Sequence, residues 1–160
     1  MNKKIFLVLG AAALAVFLVV NFGVKKDSGD VSGVAEGDAV KVTVYKSPTC
    51  GCCGNYVSYL KKEGYDVEVV TTENMDAIKE QFHIPGEAQS CHTSVFGDYA
   101  VEGHMPIEAV RKLLAEKPDI AGIALPGMPS GSPGMPGTKQ GQFVVRGFDE
   151  SGEMSEFMSL

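Results

Sequence analysis

Three of the four cysteines stand within four positions, in the stretch KSPTCGCCGNY at residues 46–56, and the fourth is Cys91. The cluster lies between two segments of different periodicity, and that placement constrains the fold. Before it, Val40, Val42 and Val44 alternate with polar residues, the two-residue period of a strand with one buried face. Pro48 and Gly51 break this pattern. From about Cys52 to Glu63 the spacing of Tyr56, Val57 and Leu60 is helical, with Gly64 as a stop. The cysteines therefore occupy a strand-to-helix turn, where unpaired backbone N–H groups and the helix dipole favour thiolate over thiol.

The run YDVEVVTT supplies a second strand, and Asn74 to Phe82 a second helix with Met75, Ile78 and Phe82 as its apolar stripe and Met75 in the core. Strand-helix-strand order implies a parallel pair joined by a crossover. HTSVF and YAVEG are two short strands about a Gly97-Asp98 turn. Pro106 opens a third helix with Ile107, Val110 and Leu114 on its buried face. The resulting order, β-α-β-α-β-β-α, is that of an α/β thioredoxin-like fold, assigned to residues 40–160. The tetrapeptide PGMP occurs at 126–129 and again at 133–136, so this region is an extended loop. QFVVRGF and EMSEFMSL, flanking Asp149 to Gly152, read as a C-terminal β-hairpin extension at about 141–160 that extends the sheet or caps an edge.

The N-terminus reads differently. Lys3 and Lys4 precede an apolar run from Ile5 to Val20 that continues weakly to Val24. It approaches the roughly 20 residues that span a bilayer, and no small-residue cleavage site follows. Residues 1–26 are expected to form an uncleaved signal anchor, with a cleavable signal peptide as the alternative, and residues 27–39 a flexible linker. The domain is then periplasmic, tethered to the inner membrane through this N-terminal segment. The chain's 160 residues, 44% hydrophobic, suffice for one core. Acidic residues outnumber basic ones by 20 to 14, and no basic run is interleaved with aromatics, which argues against a nucleic-acid partner.

In an oxidising compartment four cysteines first suggest two structural disulfides. Adjacent Cys52 and Cys53 bridge only through a strained ring, and so tight a cluster staples little chain entropy. Cys50 and Cys53 form the C-x-x-C of a disulfide oxidoreductase, but Cys52 adds a third sulfur. Neighbouring helical residues project about 100° apart. The sulfurs are thus expected to fan around the turn, an arrangement suited to several ions bridged by shared thiolates. In a thioredoxin-like domain the segment entering the third strand lies against the redox turn, which brings Cys91, with His92, opposite Cys50 and Cys53. His104 and Met105 end the next strand, and the loop adds Met128 and Met135. Thiolate, thioether and imidazole ligands select Cu(I), whereas zinc is more usually met by separated Cys or His pairs. His92 reads equally as a hydrogen-bond donor or a ligand, Met128 and Met135 as loop packing or metal contacts, and His83 as a helix-end residue.

The segments SPTCGCC with its following helix, SCHT, VEGHMP and GIALPGMPSGSPGMPG, in that order over roughly residues 41–137, resemble the CopG proteins of bacterial copper resistance. That resemblance implies a thioredoxin-like, exported copper protein whose C-x-C-C cysteines bridge a multinuclear cluster, with a part in copper redox interconversion or detoxification. Position by position, Cys50, Cys52, Cys53 and Cys91 match the family's cysteines and His104 the histidine of its V-E-G-H segment. The chain departs in the helix after the cysteines, where Tyr56 and Tyr59 stand and family members commonly have a tryptophan and a histidine. The expected function is to hold Cu(I) on Cys50, Cys52, Cys53, Cys91 and His104, for sequestration or as a copper-dependent oxidoreductase, with periplasmic copper-handling proteins as partners. Two alternatives stand beside it: a periplasmic thiol-disulfide oxidoreductase with Cys50 as nucleophile and Cys53 as resolving thiol, and a single-copper metallochaperone.

Overall fold

The structure, a computed structural model, describes residues 39–160. The anchor expected over residues 1–26 and the linker as far as residue 38 lie outside the described residues. Among the described residues no helix is long and apolar enough to cross a membrane.

Strand β1 (Lys41–Lys46) buries Val42 and Val44, the residues its alternation picks out. Helix α1 (Gly51–Lys62) begins after an extended Cys50 and buries Cys53, Tyr56 and Leu60, one face at i, i+3 and i+7. Gly64, at φ 90°, ends it and turns the chain into β2 (Asp66–Thr71), which runs parallel to β1. Helix α2 (Met75–Gln81) is capped by Asn74, whose side chain accepts from the Ala77 N–H at 3.2 Å. After a 3₁₀ turn (Gly86–Ala88) follow β3 (His92–Phe96), β4 (Tyr99–Glu102), helix α3 (Ile107–Glu116), β5 (Gly122–Ala124), β6 (Val144–Phe148) and β7 (Met154–Ser159). The β-α-β-α-β-β-α order read from the sequence is present, within a mixed α/β architecture.

Among the described residues the strands form one seven-stranded mixed sheet in the order β2-β1-β3-β4-β5-β6-β7. Strand β5 was not expected. It runs parallel to β4 and antiparallel to β6, and so joins the C-terminal hairpin to the main sheet as an extension of it. Only glycine serves at its first position, because a Cβ on Gly122 would overlap the Ala100 carbonyl and fall 2.6 Å from the Phe148 ring. The hairpin closes where Phe143 and Leu160 exchange backbone hydrogen bonds at 2.8 and 3.0 Å.

Strand alternation divides the core between the two faces. Val42, Val44, Val101, Ile123 and Val145 pack with Tyr56 and Leu60 of α1 and Ile107, Val110 and Leu113 of α3. Ala100, Ala124 and Phe148 pack with Ile84 and Ala88 on the other. Two helical expectations are corrected. On α3 the buried stripe is Ile107, Val110 and Leu113, and Leu114 is only partly buried, because its 100° step past Leu113 carries it off the face. On α2, Met75 and Ile78 are half-buried, and the buried residue is Lys79.

The topology carries one consequence for function. Antiparallel pairing sets Lys46, the last residue of β1, opposite His92, the first of β3. Glu102, the last of β4, lies opposite Thr93 on one side and Ala124, the last of β5, on the other. The cysteine turn, Cys91, His104 and the 126–137 loop therefore all leave the sheet at the same end.

Candidate metal centre

At that end the four sulfurs lie within 4.8 Å of one another. Cys50 and Cys53 are joined in a disulfide with their Cα atoms 5.6 Å apart, while Cys52 and Cys91 are free thiols. Cys52 Sγ is 3.7 Å from Cys50 Sγ and 3.6 Å from Cys91 Sγ, and Cys53 Sγ is also 3.6 Å from Cys91 Sγ. The expected fan of sulfurs is thus not what forms. Cys50 sits at the N-cap with φ −73° and ψ 100°, an extended backbone, so the helical step does not apply between it and Cys52. Sulfurs bound to one tetrahedral ion at about 2.3 Å would stand about 3.8 Å apart. The three non-bonded contacts are close to that edge, while Cys50 and Cys53 are held at bonding distance by their disulfide.

Behind Cys91 lie the two histidines of the site. His92 Nδ1 is 3.6 Å from both Cys53 Sγ and Cys91 Sγ. His104 Nδ1 donates to the Pro133 carbonyl at 2.7 Å, an acceptor that offers no proton in return. The ring must therefore carry its proton on Nδ1 and present a lone pair at Nε2, and such a hydrogen bond to the far nitrogen is what orients a metal-binding imidazole. Both residues are fully buried, and among the described residues neither His92 Nε2 nor His104 Nε2 has a hydrogen-bond partner. The rings meet nearly edge to face at 5.0 Å, and Tyr56 packs 4.8 Å from His92 and 5.4 Å from His104. The Tyr56 hydroxyl donates to the Met105 carbonyl at 3.2 Å, which fixes the ring between helix and site.

These surroundings disfavour charge before a metal arrives. Burial lowers the His92 pKa to about 3, with repulsion from His104 adding to it, and burial likewise lowers His104. Burial pushes the Cys91 thiol up to about 11, with Cys52 contributing in the same direction. At neutral pH the pocket therefore holds neutral imidazoles and a protonated Cys91, and a bound cation would displace the thiol proton.

The proline-glycine loop closes over this corner. Met128, in a left-handed backbone at φ 45°, places its sulfur 3.6 Å from Cys91 Sγ. Gly134, at φ 80°, lies so close to α1 that a Cβ there would fall 2.8 Å from the Tyr56 backbone nitrogen. Its carbonyl accepts from the Asn55 side chain at 3.3 Å.

Of the residues singled out in the sequence, Cys50, Cys52, Cys53 and Cys91 form one group that could hold a metal ion, and His104 joins a second group through Cys91 and His92. His92 and Met128, left open by the sequence, stand against the sulfurs. Met105 is instead part of the apolar core, and His83 is exposed in a left-handed backbone after α2. No sequence signal distinguishes His92 as site or spacer, because its role depends on which partners the fold denies its ring nitrogens. The donors suit a soft cation: four sulfurs in contact, a thioether, and two buried imidazoles, one with a lone pair forced outward.

Comparison with known proteins adds to this picture. The family model described as "Protein of unknown function, DUF411" matches residues 88–135, the stretch that carries Cys91, His92, His104 and Met128. Two solved structures, both of the copper resistance protein CopG (forms 1 and 2), are each 36% identical to this chain. Each match covers 76% of this chain and 98% of the other, with a TM-score of 0.70. No curated protein matches the sequence.

Proposed function

The chain belongs to the family of the copper resistance protein CopG, and from that premise we propose that it is an exported, thioredoxin-like protein that holds Cu(I) in a cysteine-bridged, multinuclear site. The strand order β2-β1-β3-β4, with a parallel β1-β2 pair and antiparallel β1-β3 and β3-β4 pairs, supports the thioredoxin-like reading. The observation that carries the functional reading is the meeting of four sulfurs from two distant segments within 4.8 Å.

In the disulfide form two of the sulfurs are unavailable as thiolates. Loading therefore begins with thiol-disulfide exchange, in which an external dithiol gives up two electrons and two protons to the Cys50–Cys53 bond, frees both thiols and is itself left as a disulfide. Cys50, Cys52, Cys53 and Cys91 would then be the thiolate ligands and His104 Nε2 a terminal one, with His92 and the Met128 thioether as further donors. Seven soft donors exceed what one four-coordinate ion accepts. Shared thiolates bridging several ions use them more fully.

The protein would serve copper tolerance by sequestration or by redox interconversion of copper. Closing the disulfide again releases two electrons and two protons, enough to reduce two Cu(II) to two Cu(I). The N-terminal segment would tether the domain to the inner membrane, facing the periplasm, where copper-handling proteins deliver or receive the metal. Retention of the full-length chain in washed membranes supports the tether, whereas recovery as a shortened soluble protein marks the segment as a cleaved signal.

Anaerobic titration of the reduced protein with Cu(I) against a competing chelator tests the central reading. Several ions retained per chain is the expected result. A single ion would make the protein a metallochaperone, and preference for Zn(II) under competition would refute the metal assignment. The disulfide at the N-terminus of α1 favours one further reading, thiol-disulfide exchange with other proteins. Insulin reduction that disappears in Cys50→Ser, with no copper retained, would establish it in place of copper binding.

A further inference from the structure

Directly behind the metal centre, on the opposite face of the sheet, lies a buried charge pair that no ligand role uses. Lys79 of α2 is 4% exposed and Glu102 of β4 is 0% exposed. Lys79 Nζ forms an ion pair with Glu102 Oε1 and donates to Thr93 Oγ1 at 2.9 Å. Glu102 Oε1 also accepts from the Ser90 N–H at 2.6 Å, and Glu102 Oε2 from the Thr93 hydroxyl at 2.8 Å. Ser90 and Thr93 bracket Cys91 and His92. The carboxylate thus grips both ends of the four-residue segment that brings the distant thiol to the cysteine turn.

Stability alone is a poor reason for this arrangement. Two charges taken out of water recover little net free energy compared with a well-packed apolar pair of the same volume. Geometry supplies a better one. Ser90 and Cys91 precede the β1-β3 ladder, whose last pair is Lys46 with His92, so no sheet hydrogen bond fixes them. Among the described residues the Ser90 N–H has one partner, Glu102.

We propose that Lys79 and Glu102 are a positioning pair for the metal centre, holding the Ser90–Thr93 segment from behind so that the Cys91 sulfur rests against Cys52 and Cys53. The pair touches no metal. Because Glu102 is followed by Gly103 and His104, the same carboxylate also ties the Cys91 segment to the strand that delivers the histidine. The proposal rests on the copper reading only in its metal readout.

The direct test needs no metal. In a Cys50→Ser/Cys53→Ser background the remaining thiols, Cys52 and Cys91, stand 3.6 Å apart. Equilibration with oxidised and reduced glutathione then measures how well they are held together, since two thiols and one oxidised glutathione give one protein disulfide and two reduced glutathiones. Lys79→Met/Glu102→Met, which replaces the charge pair with apolar side chains, should lower that equilibrium constant at least tenfold, about 30 mV toward easier reduction. Glu102→Gln, which keeps an oxygen facing the Ser90 N–H, should stay within threefold of the parent. In the four-cysteine protein the Met/Met variant should weaken Cu(I) binding at least tenfold, and Cys91→Ser should abolish that difference, as a shared-path double-mutant cycle requires.

A folded Met/Met variant with the parental thiol equilibrium and parental Cu(I) affinity overturns the proposal. Should that variant not fold, Thr93→Val removes one end of the grip and should shift the equilibrium at least threefold in the same direction, with no shift overturning the proposal. If the parent retains no Cu(I) but the thiol equilibrium moves as stated, the positioning role holds and the copper reading fails.

Discussion

The two faces of the sheet at its metal end treat buried polarity in opposite ways. Behind β3 and β4, the Lys79 ammonium, the Thr93 hydroxyl and both oxygens of Glu102 are mutually hydrogen-bonded. In front, His92 and His104 each bury a ring nitrogen with no partner. A satisfied buried network specifies one arrangement of the chain, whereas an orphaned buried polar atom, such as the lone pair of His104 Nε2, costs free energy until something binds it. The difference separates polar groups that hold the chain in place from ring nitrogens left available to a ligand.

Removing one member from each face should break the comparison most visibly. Glu102→Ala leaves the Lys79 ammonium buried without its carboxylate and should cost about 3–5 kcal/mol in urea denaturation of the metal-free protein. His104→Leu removes the unpaired Nε2 together with the Nδ1–H that donates to the Pro133 carbonyl, and should cost metal-free stability about 0.5–1.5 kcal/mol while lowering Cu(I) capacity. Equal stability losses from the two variants would erase the distinction between the faces.

Acid should sharpen it. The His92 pKa falls from 6.5 in the unfolded chain to about 3 in the fold, and His104 is shifted the same way. Below pH 6.5 the unfolded chain takes up protons that the folded chain refuses, so stability is full above that pH and falls as pH drops toward 3. The loss should reach the order of a few kcal/mol, read from urea midpoints between pH 7 and pH 4. A His92→Phe/His104→Leu variant should show a flatter profile over the same range.

The smallest effect is expected from Met128→Leu. The loop is docked through Gly134 and the Pro133 carbonyl as well, so the fold should be unchanged and Cu(I) affinity should fall by roughly tenfold or less, about 1.4 kcal/mol, measured by chelator competition.

Much of this architecture was legible from periodicity. Val42 and Val44, the face of α1 with Tyr56 and Leu60, and the Gly97-Asp98 turn each state their local structure, and the element order follows. Strand β5 escaped because three residues, one of them glycine, are too few for alternation to register. Lys79 escaped because a lysine on a short helix reads as solvent-facing, and its burial depends on Glu102, 23 residues away. At the site, the cysteines and His104 were legible as soft donors. Their mutual distance was not, since the extended Cys50 backbone breaks the helical step assumed between the sulfurs. His92 stayed ambiguous for the same kind of reason: whether a ring nitrogen is free is decided by tertiary partners.

Copper-edge X-ray absorption of the reduced, Cu(I)-loaded protein beside its Cys91→Ser variant tests the convergence of these donors most directly. A sulfur-dominated first shell with copper-copper scattering in the parent, and loss of the copper-copper component in the variant, is the expected result. A shell of nitrogen and oxygen alone, or spectra that coincide in the two proteins, would contradict it.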